Sequence, residues 1–334
     1  MNLQPIIHGI NSFENEIPII LSLVLLITSA TVILEYHELN NSETYPDYFD
    51  NVKPYLDSCD PTDYPIEKRG HLKWWFICAS EHWLGNAKII PFIFSSALIP
   101  ITYFFVSELT KYRTVGLITI LLMVSSDTFL NFNTTSTYEL SWVLFLILST
   151  WFAIKGNPTM TSIMFILSFF AKPLALIYLP LLMITAWQLA PNNRKEIIFT
   201  LGLICGIIIS IAIFGGLARV IGSDLALNTD KFFQGLYGWW FYLGASMFLA
   251  MTIPLIIYKL IHNYIKQKDK ISFVIASFII GIIISVPLIE GLTDQLNHVY
   301  RFIPLVIFSA SGIGYIIMNW IRHQSKFYVK YHLN

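Results

Sequence analysis

Four carboxylates, Glu38, Glu43, Asp47 and Asp50, crowd the segment 38–50, directly after a long apolar run. Tyr48 lies among them. Three other charges stand at the edges of apolar sequence: Glu139 precedes "LSWVLFLIL", Lys172 interrupts "SFFAKPLALIYLP", and Arg301 follows "NHVY", which contributes His298 and Tyr300. Carboxyl groups held against an apolar surface have raised pKa values and act as acids or bases near neutral pH. Cations at the same surface can hold an anion such as a lipid phosphate. Taken singly, Arg301 and Glu139 read as ordinary charges flanking helix ends, where long side chains reach for water. Lys172 is different, because it divides otherwise continuous apolar sequence. Most charges of the segment 35–88 read as solvated.

The elements that would position these groups follow from composition. Hydrophobic residues make up 55% of the 334 residues and charged residues 13%, with a mean hydropathy of +0.61. Soluble domains carry about 25% charged residues, so lipid is the expected solvent. The net charge is zero, which argues against nucleic acid as a partner. Three cysteines are too few for a disulfide framework or a thiolate metal cage. No internal repeat stands out. The first apolar run lacks a basic leader and a small-residue cleavage site, so it reads as a retained helix.

A helix needs about 20 apolar residues to cross a bilayer, and about ten runs approach that length. They cover 17–34, 89–106, 114–130, 140–154, 161–171, 173–189, 197–220, 239–258, 271–289 and 302–321. The expected fold is an all-α polytopic membrane protein, with 1–334 as one transmembrane domain. Lys172-Pro173 separates two short runs, and two helices meeting at the outer face would keep the lysine away from membrane depth. The connections "TKYRT", "IKGNP", "PNNRKE" and "KLIHNYIKQKDK" and the tail "IRHQSKFYVK" carry Lys or Arg, whereas "NFNTTSTYE" carries none. The positive-inside rule then puts both termini in the cytoplasm and the loop 35–88 outside. That loop carries basic residues of its own, but long loops translocate regardless of charge. Two glycosylation sequons, at Asn40 and Asn133, fall on the outer side.

Two stretches of the loop have helical periodicity and read as interfacial amphipathic helices. "PDYFDNVKPYL" aligns Tyr48, Phe49, Val52, Tyr55 and Leu56, with Pro54 making a short or kinked helix. "HLKWWFICASEHWLG" aligns Leu72, Trp75, Phe76, Ala79 and Trp83 and stops at Gly85. Cys59 and Cys78 share this loop. They read as two unrelated free thiols, with pairing open in an oxidising compartment.

The order of these features resembles the GT-C superfamily of polyprenyl-phosphate-sugar-dependent glycosyltransferases, which includes protein O-mannosyltransferases and lipid A aminoarabinose transferases. "SETYPDYFDNVKPYLDSCDP" is similar to that family's acid-containing stretch after the first span. "EKRGHLKWWFICASEHWLG" resembles its Glu-Lys-Pro-Pro to Leu-Phe-Gly segment. "TYELSW" lies where the family carries a second acid, "SFFAKPLALIYLP" resembles its lysine junction, and "HVYRFIPL" resembles its late Arg-Tyr element. The likeness covers roughly the first 190 residues and the last span. The usual Asp-Glu pair is replaced by Thr44 and Tyr45, leaving Glu43 one place early and Asp47 late, and Arg69-Gly70 replaces two prolines.

The resemblance implies transfer of a sugar from a polyprenyl-phosphate-linked donor to an acceptor hydroxyl on a protein, glycan or lipid, at the extracytoplasmic face. Glu43 or Asp47 would be the base, and Glu139 would orient the acceptor or a bound ion. Lys172 and Arg301 would hold the donor phosphate, supported by Glu38, Tyr48, Asp50, His298 and Tyr300. No organic cofactor is implied, and a divalent metal stays open. The alternatives are an inactive GT-C-like subunit of a membrane complex and a lipid transporter or flippase. A transporter should carry ionisable or broken-helix positions near the bilayer midplane, whereas these lie mainly at the ends of the runs.

Overall fold

The structure is a computed structural model. It describes residues 9, 12–45, 48–49, 52–56, 59–60, 71–137, 139–214, 230, 232–233, 247–292 and 299–332. Asp47, Asp50 and His298 lie outside the described residues.

Every regular element among the described residues is helical. The first is α1 (Ile17–Glu35), which has a proline in its first turn and runs into a 3-10 turn, Tyr36–Asn40. Proline suits that place because its missing N–H would have no partner there. The loop contributes α2 (Lys53–Leu56) and α3 (Leu72–Leu84). Then come α4 (Ile89–Thr110), α5 (Arg113–Val124), α6 (Asp127–Leu130), α7 (Ser141–Ile154) and α8 (Pro158–Ala171). A 3-10 turn, Pro173–Tyr178, leads into α9 (Leu179–Leu189). The last elements are α10 (Arg194–Phe214), α11 (Met247–Gln267), α12 (Lys270–Leu292) and α13 (Ile303–His332).

Three helical segments among the described residues are long and apolar enough to cross a membrane: Ile17–Asn40, Ile89–Thr110 and Tyr300–Arg322. Arg113–Val124, Ser141–Ile154, Pro158–Ala171, Pro173–Leu189 and Lys270–Ser285 are apolar but shorter. Local chemistry explains several ends. Asn157 caps α8 by accepting from Met160 N at 3.0 Å, with Pro158 following it. Glu14 reaches across the chain to accept from the first N–H groups of α5, Arg113 and Thr114, each at 2.8 Å. At its other end α8 stops at Lys172, whose backbone is extended (φ −153°), as expected for a residue before proline. Two helices therefore meet at Lys172, as the sequence predicts.

The main core joins side chains of α1, α4, α5, α7, α9 and α11–α13. Phe278 and Phe308 stack with centroids 3.9 Å apart. Glycines permit close crossings: a Cβ on Gly116 would meet Tyr103 O at 2.9 Å, and one on Gly281 would meet Leu181 Cδ2 at 2.7 Å. Apolar helices gain most from such close van der Waals packing where lipid is as apolar as the side chains.

The loop helices depart from expectation in one respect. In α3 the buried side is Trp74, Ile77 and Ser80, while Trp75 is 56% exposed and Trp83 80% exposed. The predicted stripe is thus divided, its two tryptophans facing outward and the other side packing inward. Val52, Trp74, Ile77 and Ala87 form a small satellite core that Tyr48 and Leu56 join. Gly85 adopts φ +71° and ends α3, with its N–H donating to Glu81 O at 2.9 Å.

Cys59 and Cys78 are disulfide-bonded, with Cα atoms 5.6 Å apart, which corrects the expectation of two free thiols. Sequence spacing does not reveal how the chain turns between α2 and α3. Of the two sequons, Asn40 is exposed but Asn133 is buried, so the second is closed to a modifying enzyme.

Candidate functional site

The connection between α6 and α7 is buried although it is polar: Asn133, Thr134, Thr135, Ser136 and Thr137 are all at most 6% exposed. Backbone polar groups taken from water need partners, and three distant side chains supply them. Ser95 Oγ, on α4, donates to Asn133 O at 2.5 Å. Lys73 Nζ, on α3, donates to Thr137 O. Glu43 does most. Its Oε1 accepts from Ser136 N and, at 2.5 Å, from Ser136 Oγ; its Oε2 accepts from Thr137 Oγ1 and, at 3.2 Å, from Thr137 N. An ionised carboxylate has about four lone-pair sites, and here all four are in use.

Glu139 follows immediately and is 4% exposed. Its Oε2 accepts from Ser141 N at 2.6 Å. Burial pushes this carboxyl above the usual carboxylate range, against hydrogen bonding from Ser141 and the attraction of Lys73 and Lys172. It therefore holds a proton more readily than a surface glutamate does.

The cations face it. Lys73 feels Lys172, Tyr300, Glu139 and Glu43. Burial, followed by repulsion from Lys172, pushes its ammonium down to about 8. Lys73 Nζ also lies 5.1 Å from the Trp74 ring centroid. Lys172 Nζ donates to Tyr300 Oη and lies 4.0 Å from that ring's centroid. Tyr300 and Arg301, each 3% exposed, occupy the 3-10 turn Val299–Phe302 before α13. Arg301 is within electrostatic reach of Tyr178. Aromatic contacts complete the wall: Phe132 meets Tyr300 at 5.8 Å and Tyr45 at 5.9 Å between centroids.

The structure thus brings Glu43, Glu139, Lys172, Tyr300 and Arg301 to one region, from segments far apart in sequence. Glu38 is outside it, paired at the surface with His37 at 2.9 Å and accepting from Asn41 Nδ2 at 2.7 Å. Tyr48 packs beside α3 in the satellite core. Lys73 was missed by sequence reasoning, since one lysine in an amphipathic helix reads as solvated. The available signal was its place three residues before Phe76, whose ring packs 4.8 Å from that of Phe94. Lys88, a second basic residue of the loop, secures the chain after α1 by donating to Asn41 O at 2.5 Å and Glu38 O at 3.2 Å.

Among the described residues no three His, Cys, Asp or Glu side chains converge as a metal site. The arrangement is a buried carboxyl of raised proton affinity facing lysines beside an arginine, suited to hold an anion and move a proton. No protein-family model, curated protein or solved structure matches the chain.

Proposed function

We propose that this protein is a membrane-embedded glycosyltransferase that uses a polyprenyl-phosphate-linked sugar and works at the extracytoplasmic face. The observation that carries the reading is the meeting of Glu139 with Lys73 and Lys172, an acid–base group set against two lysines that repel each other. Lys73 and Lys172 lie close enough to repel each other, and two neighbouring cations attract an anion. A lipid phosphate supplies that charge. The resemblance to GT-C enzymes, on the segments around Glu43, Glu139, Lys172 and Arg301, supports the same assignment.

In this reading the acceptor hydroxyl oxygen attacks the anomeric carbon while the bond from that carbon to the phosphate oxygen breaks. The bonding electrons leave with the lipid phosphate. Glu139 takes the hydroxyl proton. Lys73, Lys172 and Arg301 stabilise the charge that grows on the departing phosphate. Glu43 is better suited to hold the 133–137 segment than to act as base, because its acceptor positions are occupied. Proximity at one interface replaces a bimolecular encounter.

The finer topology belongs to this proposal: about ten spans, both termini cytoplasmic, and the 35–88 loop outside. The Cys59–Cys78 bond supports an outside loop, since disulfides persist in oxidising compartments. Asn40→Cys and Gln267→Cys, in a background with Cys205 replaced by Ser, should label from opposite sides of intact cells. Labelling from one side would overturn the topology.

The test of activity is purified protein incubated with radiolabelled polyprenyl-phosphate sugars and scored for release of the lipid phosphate. Release that depends on Glu139 supports the assignment. A second reading, a relative that binds lipid phosphate without transfer, is favoured by the full engagement of Glu43. Saturable binding of the labelled donor without release would select it.

A further inference from the structure

A second site lies away from the carboxylate–lysine cluster. A groove of about 330 Å³ is lined by Met183, Ile184, Trp187 and Gln188 of α9, Ile198 of α10 and Phe273 of α12. That volume is near the small end of ligand cavities, which run about 300–1,000 Å³. Its walls come from the last turns of α9 and the first turns of α10 and α12, so it sits at the end of the bundle where 190–194 and 268–270 connect the helices. Gln188 is its one polar lining residue. A Cβ on Gly202 would find only Met183 Cε, at 3.9 Å, so α10 presents little bulk beside Met183.

Two cations flank the groove. Arg194 lies over Trp187, with Cζ 5.1 Å from the ring centroid. On the opposite wall Phe273 packs against Tyr264 at 4.6 Å, and Lys268 Nζ lies 6.0 Å from the Tyr264 centroid. Among the described residues neither cation has a carboxylate partner, the ion pairs being His37–Glu38 and Lys111–Glu108. Asp269, the nearest acid in sequence to Lys268, is occupied by Ile271 N, Ser272 Oγ and Tyr315 Oη. Glu196 is the acid of the first turn of α10, preceded by Arg194 and Lys195. The walls are apolar and the mouth is net positive.

We infer that this groove is a binding site for an anionic phospholipid, one acyl chain lying against Trp187 and Phe273 and the phosphate held between Arg194 and Lys268. The chain replaces contacts that lining side chains lack, and the phosphate neutralises two unpaired cations. Basic pockets between membrane helices recognise anionic headgroups on this principle. The site does not depend on the transfer reaction.

The test uses full-length protein in detergent, titrated with phosphatidylglycerol or phosphatidylcholine carrying brominated acyl chains, which quench nearby tryptophan. The Trp187 signal is the difference between wild type and Trp187→Phe. Phosphatidylglycerol should quench it at an about 25-fold lower lipid fraction, with preference falling about five-fold per cation removed. Arg194→Gln with Lys268→Gln should make the two lipids equivalent. Equal quenching of Trp187 by both lipids in wild type, meaning ordinary surrounding lipid, would overturn the site. So would a preference that survives the double substitution.

Discussion

Ser136 grips Glu43 Oε1 twice, through its backbone N–H and through its hydroxyl at 2.5 Å, across 93 positions of sequence. With Thr137 doing the same at Oε2, one carboxylate closes the opening loop onto the 133–137 segment, two residues before Glu139.

Glu43→Ala should therefore act on folding. It strands buried donors of Ser136 and Thr137, and each unsatisfied buried group costs about 1–3 kcal/mol, so a loss of about 3 kcal/mol or more is expected. Glu43→Gln should also destabilise, because its amide NH₂ would face donors. Thermal unfolding in detergent reads this directly. Unchanged melting with lost transfer would instead make Glu43 part of the chemistry.

Glu139→Gln should leave melting and donor binding near wild type and lower transfer by about 100-fold or more, the usual worth of a positioned base. Its raised proton affinity also predicts that transfer falls as pH drops through the Glu139 pKa, above the usual carboxylate range. Single-turnover release of lipid phosphate against pH is the measurement. A flat profile from pH 4 to pH 7 would exclude this residue as the base.

Lys73 gives the alkaline side of the profile. Its folded value, about 8, lies below the ordinary 10.5. Between these values the unfolded chain binds the proton and the folded chain does not. Lys73 therefore lowers stability below pH 8, and this cost disappears as pH rises from 8 to 10.5. Donor binding should move oppositely, weakening above pH 8 as the ammonium is lost. Lys73→Arg, charged throughout, should keep donor affinity constant to pH 10. Persistence of wild-type affinity to pH 10 would remove Lys73 from the phosphate site.

Lys172→Met should weaken binding of a labelled polyprenyl phosphate about ten-fold or more, the value of a charge-assisted contact. Arg301→Lys should be milder, since it keeps the charge but loses the planar fork that matches phosphate oxygens. Equal affinity in wild type and Lys172→Met, measured at pH 7 in detergent, would show that Lys172 serves only packing against Tyr300.

Much of the helical framework was legible because its causes are local. Runs of apolar residues specify α1, α4 and the start of α13, Pro173 ends α8 at Lys172, and Gly85 ends α3 by taking a backbone angle that side chains disfavour. The charges at the ends of those runs were legible too, and Glu139, Lys172 and Arg301 do share a region. What the sequence alone could not decide is which groups meet. Lys73 reads as one more solvated lysine until α3 packs Trp74 inward and carries Nζ to Thr137, 64 residues away. Cys59 and Cys78 read as separate thiols until the loop folds between them. Glu43 reads as a base until the 133–137 segment is buried against it and fills its acceptor positions. Local patterns record how a backbone prefers to run and which face avoids water. Partner choice for a buried charge depends on packing between distant segments, and only the tertiary structure contains it.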